Sequence, residues 1–161
     1  MASKLKLVRK RGSMRDRLIV ALDVDSLEQA QDLVKLLAGE VGMFKIGKQL
    51  FTHAGPQAVQ LIQDLGGEIF LDLKFHDIPS TVAKAAIEAT RLGVKMFNVH
   101  ASGSLEMMRM TVKEVERVCR QEKLRRPIML AVTVLTSLNQ DDLQRVGVEH
   151  EVDDQVVRLA L

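Results

Sequence analysis

Two side chains of opposite charge, near the end of an apolar run, give the clearest chemical signal in this sequence. Asp72 and Lys74 lie in 68–74, a predicted strand rich in Ile, Leu and Phe, and Asp77 follows three positions later. Because residues two apart on a strand point to the same face, we expect Asp72 and Lys74 to meet. An acid and a base on a buried face are costly unless they pair or react. The pattern therefore favours a catalytic role for the residues at the end of this strand.

Polar residues also stand at the carboxyl ends of the other four predicted strands: Asp23 after 18–22, Lys45 in 43–46, His100 in 96–100 and Thr136 after 128–134. The carboxyl ends of parallel strands meet at one edge of a sheet, where α/β proteins place their chemistry. We therefore predict that Asp23, Lys45, Asp72, Lys74 and Thr136 cluster there. Thr136 could instead cap the following turn. His100 could line the site or simply hydrogen-bond at its strand end, so it is not among the candidate site residues.

The strands alternate with amphipathic segments that predict helices. These segments span 26–38, 55–65, 79–92 and 104–123, followed by a short helix at 141–145 and another beginning near 152. Regular alternation predicts an α/β fold with parallel strands and right-handed crossovers. The nearly continuous apolar run 18–22 predicts a strand that is buried on both faces, and the run 128–135 suits a buried strand.

Two α/β architectures fit this alternation. One is a five-stranded doubly wound sheet. The other is a TIM-type (β/α)8 barrel of which this chain holds only about the first five units, since a whole barrel takes roughly 250 residues. The last six residues include the apolar positions 156, 157 and 159–161, which is unusual for a natural terminus. We therefore expect 14–161 to be the N-terminal part of a single barrel domain.

The composition is that of an ordinary globular protein, with 47% apolar and 27% charged residues. No apolar run reaches the roughly 18 residues of a membrane span. The single cysteine, Cys119, excludes an internal disulfide and a cysteine-cluster metal site, and we expect a reduced thiol in a cytoplasmic protein. No dinucleotide, P-loop or zinc-protease motif is present.

The basic residues are unevenly distributed. Residues 1–13 hold five basic groups and no acid, and taking these from the net charge of +2 leaves 14–161 at −3. Such a tail could bind nucleic acid or a membrane surface. Because Gly12-Ser13-Met14 has the form of a cloning junction, we instead expect 1–13 to be an engineered leader. We accordingly predict neither a nucleic-acid partner nor a membrane partner.

The segment 72–82 reads D-x-K-x-x-D-I-P-x-T-V and resembles orotidine 5'-phosphate decarboxylase of the bacterial type. Four further segments, 18–23, 44–47, 98–101 and 132–137, look like the first, second, fourth and fifth strands of that family. The matches run in order from about residue 16 to the end, close to two-thirds of a family member. The resemblance implies decarboxylation of orotidine 5'-monophosphate to uridine 5'-monophosphate without a metal or organic cofactor, in a homodimer with shared active sites.

The resemblance also implies a role for each candidate residue. Lys74 would be the general acid that protonates pyrimidine C6, Asp72 would lie against the substrate carboxylate, and Asp77 would come from the partner subunit. The implied substrate-binding residues are Asp23 and Lys45 at the ribose hydroxyls, Thr81 across the dimer interface and Thr136 at the pyrimidine. The family's phosphate site comes from later strands, which have no counterpart before Leu161, so activity of the 161 residues alone is in question.

Two other functions stay open at the level of sequence. Relatives that share D-x-K-x-x-D act on sugar phosphates with magnesium, as in 3-keto-gulonate 6-phosphate decarboxylation or hexulose phosphate synthesis. The Ile78-Pro79-x-Thr81 continuation and the Lys45 strand resemble the orotidine enzyme more closely. The second alternative is a non-catalytic, engineered barrel fragment.

Overall fold

A computed structural model of the protein describes residues 14–161, so the predicted leader lies outside the described residues. Its sheet has five strands: β1 (Ile19–Ala21), β2 (Met43–Gly47), β3 (Ile69–Phe75), β4 (Met96–His100) and β5 (Ile128–Val132). Their spatial order is β1-β2-β3-β4-β5, and each neighbouring pair is parallel. A doubly wound sheet would reverse its strand order at a switch point. The order is therefore that of consecutive barrel strands, and the doubly wound alternative is wrong.

Seven α-helices connect or follow the strands within residues 14–161: α1 (Leu27–Leu37), α2 (Lys48–Ala54), α3 (Pro56–Asp64), α4 (Pro79–Arg91), α5 (Leu105–Glu122), α6 (Gln140–Arg145) and α7 (Val152–Ala160). Two begin at a serine cap, where Ser26 accepts from the Gln29 amide and Ser104 from the Met107 amide. Helix α2 was not predicted. It is short, and its N-cap, Gly47, offers no side-chain bond that would signal a helix start.

The core lies between the sheet and the helices, and the largest fully buried side chains include Phe44 and Phe97 on the central strands. The predicted burial of β1 on both faces is wrong, and β5 is not the buried strand that its apolar run predicted. Ile19 is 41% exposed and Ile128 is 49% exposed. The reason is position, because each of these strands has a single strand neighbour within the described residues.

Strand β5 ends at Val132 rather than at the predicted residue 134, and the chain then turns, with the Leu138 amide donating to the Leu135 carbonyl. Among the helices of the described region, none has the length and apolar character needed to cross a bilayer.

Candidate active site

Four charged side chains form a chain of alternating sign at the carboxyl edge of β1, β2 and β3. Lys74 Nζ lies 2.6 Å from Asp72 Oδ1, and Lys45 Nζ lies 3.6 Å from Asp72 Oδ2. Lys45 Nζ also contacts Asp23 Oδ1 at 3.2 Å. Each lysine thus touches at least one carboxylate, and Asp72 touches both lysines. The structure brings together four of the five residues that the strand ends predicted to cluster.

Strand register explains why these residues meet. In the parallel ladder Ala21 stands opposite Lys45, and Gly47 stands opposite Asp72. Asp23 follows the end of β1, and its carboxylate accepts a hydrogen bond from the ammonium group of Lys45 on the neighbouring strand β2. Neighbouring parallel strands have their carboxyl ends at the same edge of the sheet. The order of the strands therefore determines the order of the charged side chains along that edge.

The backbone of β3 is irregular where the chemistry lies. Leu71 pairs with Phe97 and Phe75 pairs with Val99, so residues 72–74 stand opposite Asn98 alone. Lys74 has a φ of 51°, a left-handed conformation that is uncommon for a residue with a side chain. The prediction that Asp72 and Lys74 meet rested on a regular strand. They do meet, but within a bulge of the strand.

Asn98 belongs to the same cluster and was not predicted. The residue is only 3% exposed. Nδ2 donates to Asp72 Oδ1 at 2.6 Å, and Oδ1 accepts from the Lys74 backbone N–H at 2.8 Å. The sequence did hold a signal, because an amide in the middle of β4, beside the fully buried Phe97 and Val99, needs polar partners.

Asp72 is held in its ionised form. Burial alone raises the pKa of this carboxyl, but the hydrogen bonds from Lys74 and Asn98 and the charges of Lys74 and Lys45 together outweigh burial. The pKa of Asp72 therefore lies below its usual value, and the group is a carboxylate at neutral pH.

The other three candidate residues lie outside this network in the described part of the chain. Asp77 is exposed, and its Oδ1 accepts from the Ile78 amide at 2.6 Å. Thr81 is exposed in the first turn of α4, and Thr136 is exposed in the turn that follows β5. Their side chains make no hydrogen bond to Asp23, Lys45, Asp72 or Lys74.

Two histidines flank the network. The His76 and His100 rings lie 5.3 Å apart, tilted by 42°. Burial lowers the pKa of His100, and the positive surroundings of His76, Lys48 and Lys74 lower it further. Within residues 14–161, no group of three or more His, Cys, Asp or Glu side chains has an arrangement that could hold a metal ion.

Comparison with known proteins identifies relatives over almost all of the described chain. Residues 16–161 match the model of the orotidine 5'-phosphate decarboxylase / HUMPS family. The chain is 54% identical to the orotidine 5'-phosphate decarboxylase of Syntrophotalea carbinolica, covering 91% of this chain and 60% of that protein. It is 51% identical to the enzyme of the same name from Geobacter metallireducens, covering 93% and 62%.

Among solved structures, the orotidine 5'-phosphate decarboxylase of Lactobacillus acidophilus superposes with a TM-score of 0.80 at 35% identity, covering 89% of this chain and 64% of that one. The chain thus spans about three fifths of the length of the two curated relatives. Its five strands and alternating helices correspond to part of a barrel.

Proposed function

This chain belongs to the orotidine 5'-phosphate decarboxylase / HUMPS family, and from that premise we propose that it serves the decarboxylation of orotidine 5'-monophosphate to uridine 5'-monophosphate in pyrimidine biosynthesis. The observation that carries the proposal is the alternating series Asp23, Lys45, Asp72 and Lys74, joined by contacts of 2.6 to 3.6 Å. Two high-identity relatives bear the name of this enzyme.

The chemistry requires fixed charge and a proton at one carbon atom. When CO2 leaves, the electrons of the broken C–C bond stay on pyrimidine C6, which has no attached electron sink. In the proposal the Lys74 ammonium stabilises that developing charge and then transfers a proton from Nζ to C6, forming the new C–H bond. The resulting amine regains its proton from solvent. No metal or organic cofactor takes part in this sequence of steps.

Asp72 has two roles in this proposal. As a carboxylate 2.6 Å from Lys74 Nζ, it would hold the ammonium group in place for the proton transfer. It also lies where a substrate carboxylate above Lys74 would meet a like charge, and this contact would be relieved as CO2 departs. Lys45 and Asp23, farther along the series, would bind the ribose hydroxyls.

We also propose a homodimer in which each site is completed by the partner. Asp77 and Thr81 are exposed and lie outside the network of their own chain, as expected for residues that act on a neighbouring site. Thr136, in its exposed turn, would contact the pyrimidine. A cytosolic location is part of the proposal, since Cys119 is a buried free thiol of the kind that reducing compartments preserve.

Activity is proposed for a closed barrel. Apolar side chains are exposed on the two outer strands, with Ile19 at 41% on β1 and Ile128 at 49% on β5. Further strands paired with these edges would cover them and close the barrel. The family's phosphate-binding residues would lie on those further strands.

The test is decarboxylation of orotidine 5'-monophosphate by the full-length protein in excess chelator. We expect uridine 5'-monophosphate to form at the same rate with and without chelator. Turnover that stops on chelation and returns with magnesium would contradict the proposal and favour the sugar-phosphate chemistry of the wider family. No uridine 5'-monophosphate under either condition would also contradict it.

A further inference from the structure

Asn98 links the two residues on which the proposed reaction depends most directly. One side-chain amide donates to Asp72 Oδ1 at 2.6 Å and accepts from the Lys74 backbone N–H at 2.8 Å. An amide can do both because it carries a donor and an acceptor on one planar group. At 3% exposure, Asn98 has almost no access to water as an alternative partner.

We propose that Asn98 is a positioning residue, which fixes the Asp72 carboxylate and the Lys74 backbone in the arrangement that aims the Lys74 ammonium. The inference rests on the proposed function of Lys74 and Asp72 and adds a third residue, from the neighbouring strand, to that function. Asn98 would not touch the substrate, and its effect would pass through the other two side chains.

The backbone geometry is the first support. Residues 72–74 form a bulge opposite Asn98, so the regular ladder between β3 and β4 is interrupted there. The Lys74 N–H bonds instead to the Asn98 side chain. Lys74 has a φ of 51°, and such a conformation persists only where the surroundings hold it. The Asn98 amide is the contact from β4 that holds the Lys74 N–H in place.

The division of contacts on Asp72 is the second support. Asp72 Oδ1 receives Lys74 Nζ and Asn98 Nδ2, both at 2.6 Å, whereas Oδ2 faces Lys45 Nζ at 3.6 Å. The groups that face Asp72 are thus Lys74 of its own strand, Lys45 of β2, with Asp23 beyond it, and the neutral amide of β4. Without that amide, the carboxylate is free to rotate toward Lys45.

Two substitutions separate these contacts. Asn98→Leu keeps the size of the side chain and removes both donor and acceptor. Asn98→Asp keeps the shape and the acceptor for the Lys74 N–H but replaces the donor by a second carboxylate. At pH 8 we expect kcat to fall about 10- to 100-fold in both, as for a misplaced catalytic group, with KM within about threefold of the parent.

The dependence on pH distinguishes positioning from a structural role. In Asn98→Asp the two adjacent carboxyls titrate as a pair and take up one proton at a raised pKa. Because Lys74 and Lys45 keep the negative charge on Asp72, that proton resides on the substituted carboxyl, which can then donate to Asp72 Oδ1 as the amide does. The kcat of Asn98→Asp, relative to the parent, should therefore recover as pH falls, whereas that of Asn98→Leu should not.

Thr90→Val is the matched control. Thr90 is 1% exposed, and its hydroxyl donates to the Ala86 carbonyl within α4, away from the charged network. This variant should lose stability like a core substitution and keep the parent's kcat and pH profile. If it loses kcat as the Asn98 variants do, the effect is one of stability and the inference is overturned.

A carboxyl titration by NMR provides a readout that needs no turnover. The Asp72 pKa should rise in Asn98→Leu, because a hydrogen bond to the charged form is lost. An unchanged Asp72 pKa, or a relative kcat for Asn98→Asp that is flat with pH, would overturn the inference. A parent without decarboxylase activity would overturn the proposed function instead, and the titration alone would then decide the role of Asn98.

Discussion

Asp72 on β3 and Lys45 on β2 lie with Oδ2 and Nζ 3.6 Å apart, and this contact joins two ion pairs into one network. Asp72 pairs with Lys74 on one side, and Lys45 pairs with Asp23 on the other. The neighbouring strands thus carry a continuous series of four charges. Replacing any one of these four side chains should therefore change the electrostatic environment of the other three.

Lys45→Met tests the part of that series that is proposed to bind the ribose. Methionine keeps much of the stem but removes the charge, and the Asp23 carboxylate loses its 3.2 Å partner. We expect KM for orotidine 5'-monophosphate to rise at least tenfold, with a smaller change in kcat, as for a contact that binds ground state and transition state alike. Lys35→Met, at an exposed position in the last turn of α1, is the control and should change neither constant. An unchanged KM in Lys45→Met would contradict the assignment.

The ionisation of Asp72 should be visible in the dependence of stability on pH. Its pKa is lowered in the folded state, so the unfolded chain binds more protons and stability rises with pH in this range. Relative to Asp72→Asn, the parent should be more stable by about 1–3 kcal/mol at pH 7. This advantage should be complete above the ordinary carboxyl pKa of about 4 and disappear as pH falls through the folded value. Denaturant unfolding at several pH values measures it.

Asp32→Asn, at an exposed position on α1, is the control for that series and should follow the parent at every pH. If the difference in unfolding free energy between the parent and Asp72→Asn persisted in acid, Asp72 would not be the titrating group.

The proposed sharing of active sites predicts complementation between inactive variants. Lys74→Ala and Asp77→Ala should each be inactive as homodimers, because one lacks the acid and the other lacks the group donated to the partner. In a mixed dimer one site would have both residues intact. Mixing the two proteins under conditions of subunit exchange should therefore restore decarboxylation. Mixing Lys74→Ala with Asp72→Ala is the control, because both residues of a site come from the same chain and each site of the mixed dimer would keep one defect. Activity in this control, or none in the first mixture, would argue against shared sites.

Gly42→Ala tests a close approach at the start of the sheet. A Cβ at Gly42 would lie 2.5 Å from the backbone oxygen of Asp16, which cannot move away as a flexible side chain could. We expect a loss of about 1–3 kcal/mol from overpacking. Gly47→Ala is the control, because its nearest contact would be an ordinary 3.5 Å to Asp23 Oδ1. In thermal unfolding, Gly42→Ala should have a lower midpoint temperature than Gly47→Ala. Equal midpoints would contradict the close contact between Gly42 and Asp16.

The sequence predicted the structure best where the residue types and the spacing of the apolar positions indicated the same element. Polar residues at strand ends identified Asp23, Lys45, Asp72 and Lys74, and parallel pairing then placed them together, since neighbouring strands end at the same edge. The predicted boundaries of α4 and α5 were close to those observed, because Pro79 and Ser104 are clear helix-start signals.

Other features depended on context that a single segment does not contain. The left-handed backbone of Lys74 coincides with a hydrogen bond from its N–H to Asn98 of another strand, and no local propensity indicates it. The exposure of Ile19 and Ile128 arises from sheet position rather than from the apolar character of their segments. Helix α2 lacks a capping side chain, so nothing in 48–54 distinguished it from a loop.

The central claim is that Lys74 delivers the proton to C6, and Lys74→Ala tests it most directly. In the full-length protein, single-turnover decarboxylation should fall by several orders of magnitude, beyond the roughly 10²–10⁴ of proton transfer alone, because the variant loses both the acid and the charge opposing the carbanion. Binding of uridine 5'-monophosphate, measured alongside, should stay near that of the parent, since the ribose and phosphate contacts come from other residues. Turnover within tenfold of the parent would show that Lys74 is not the acid.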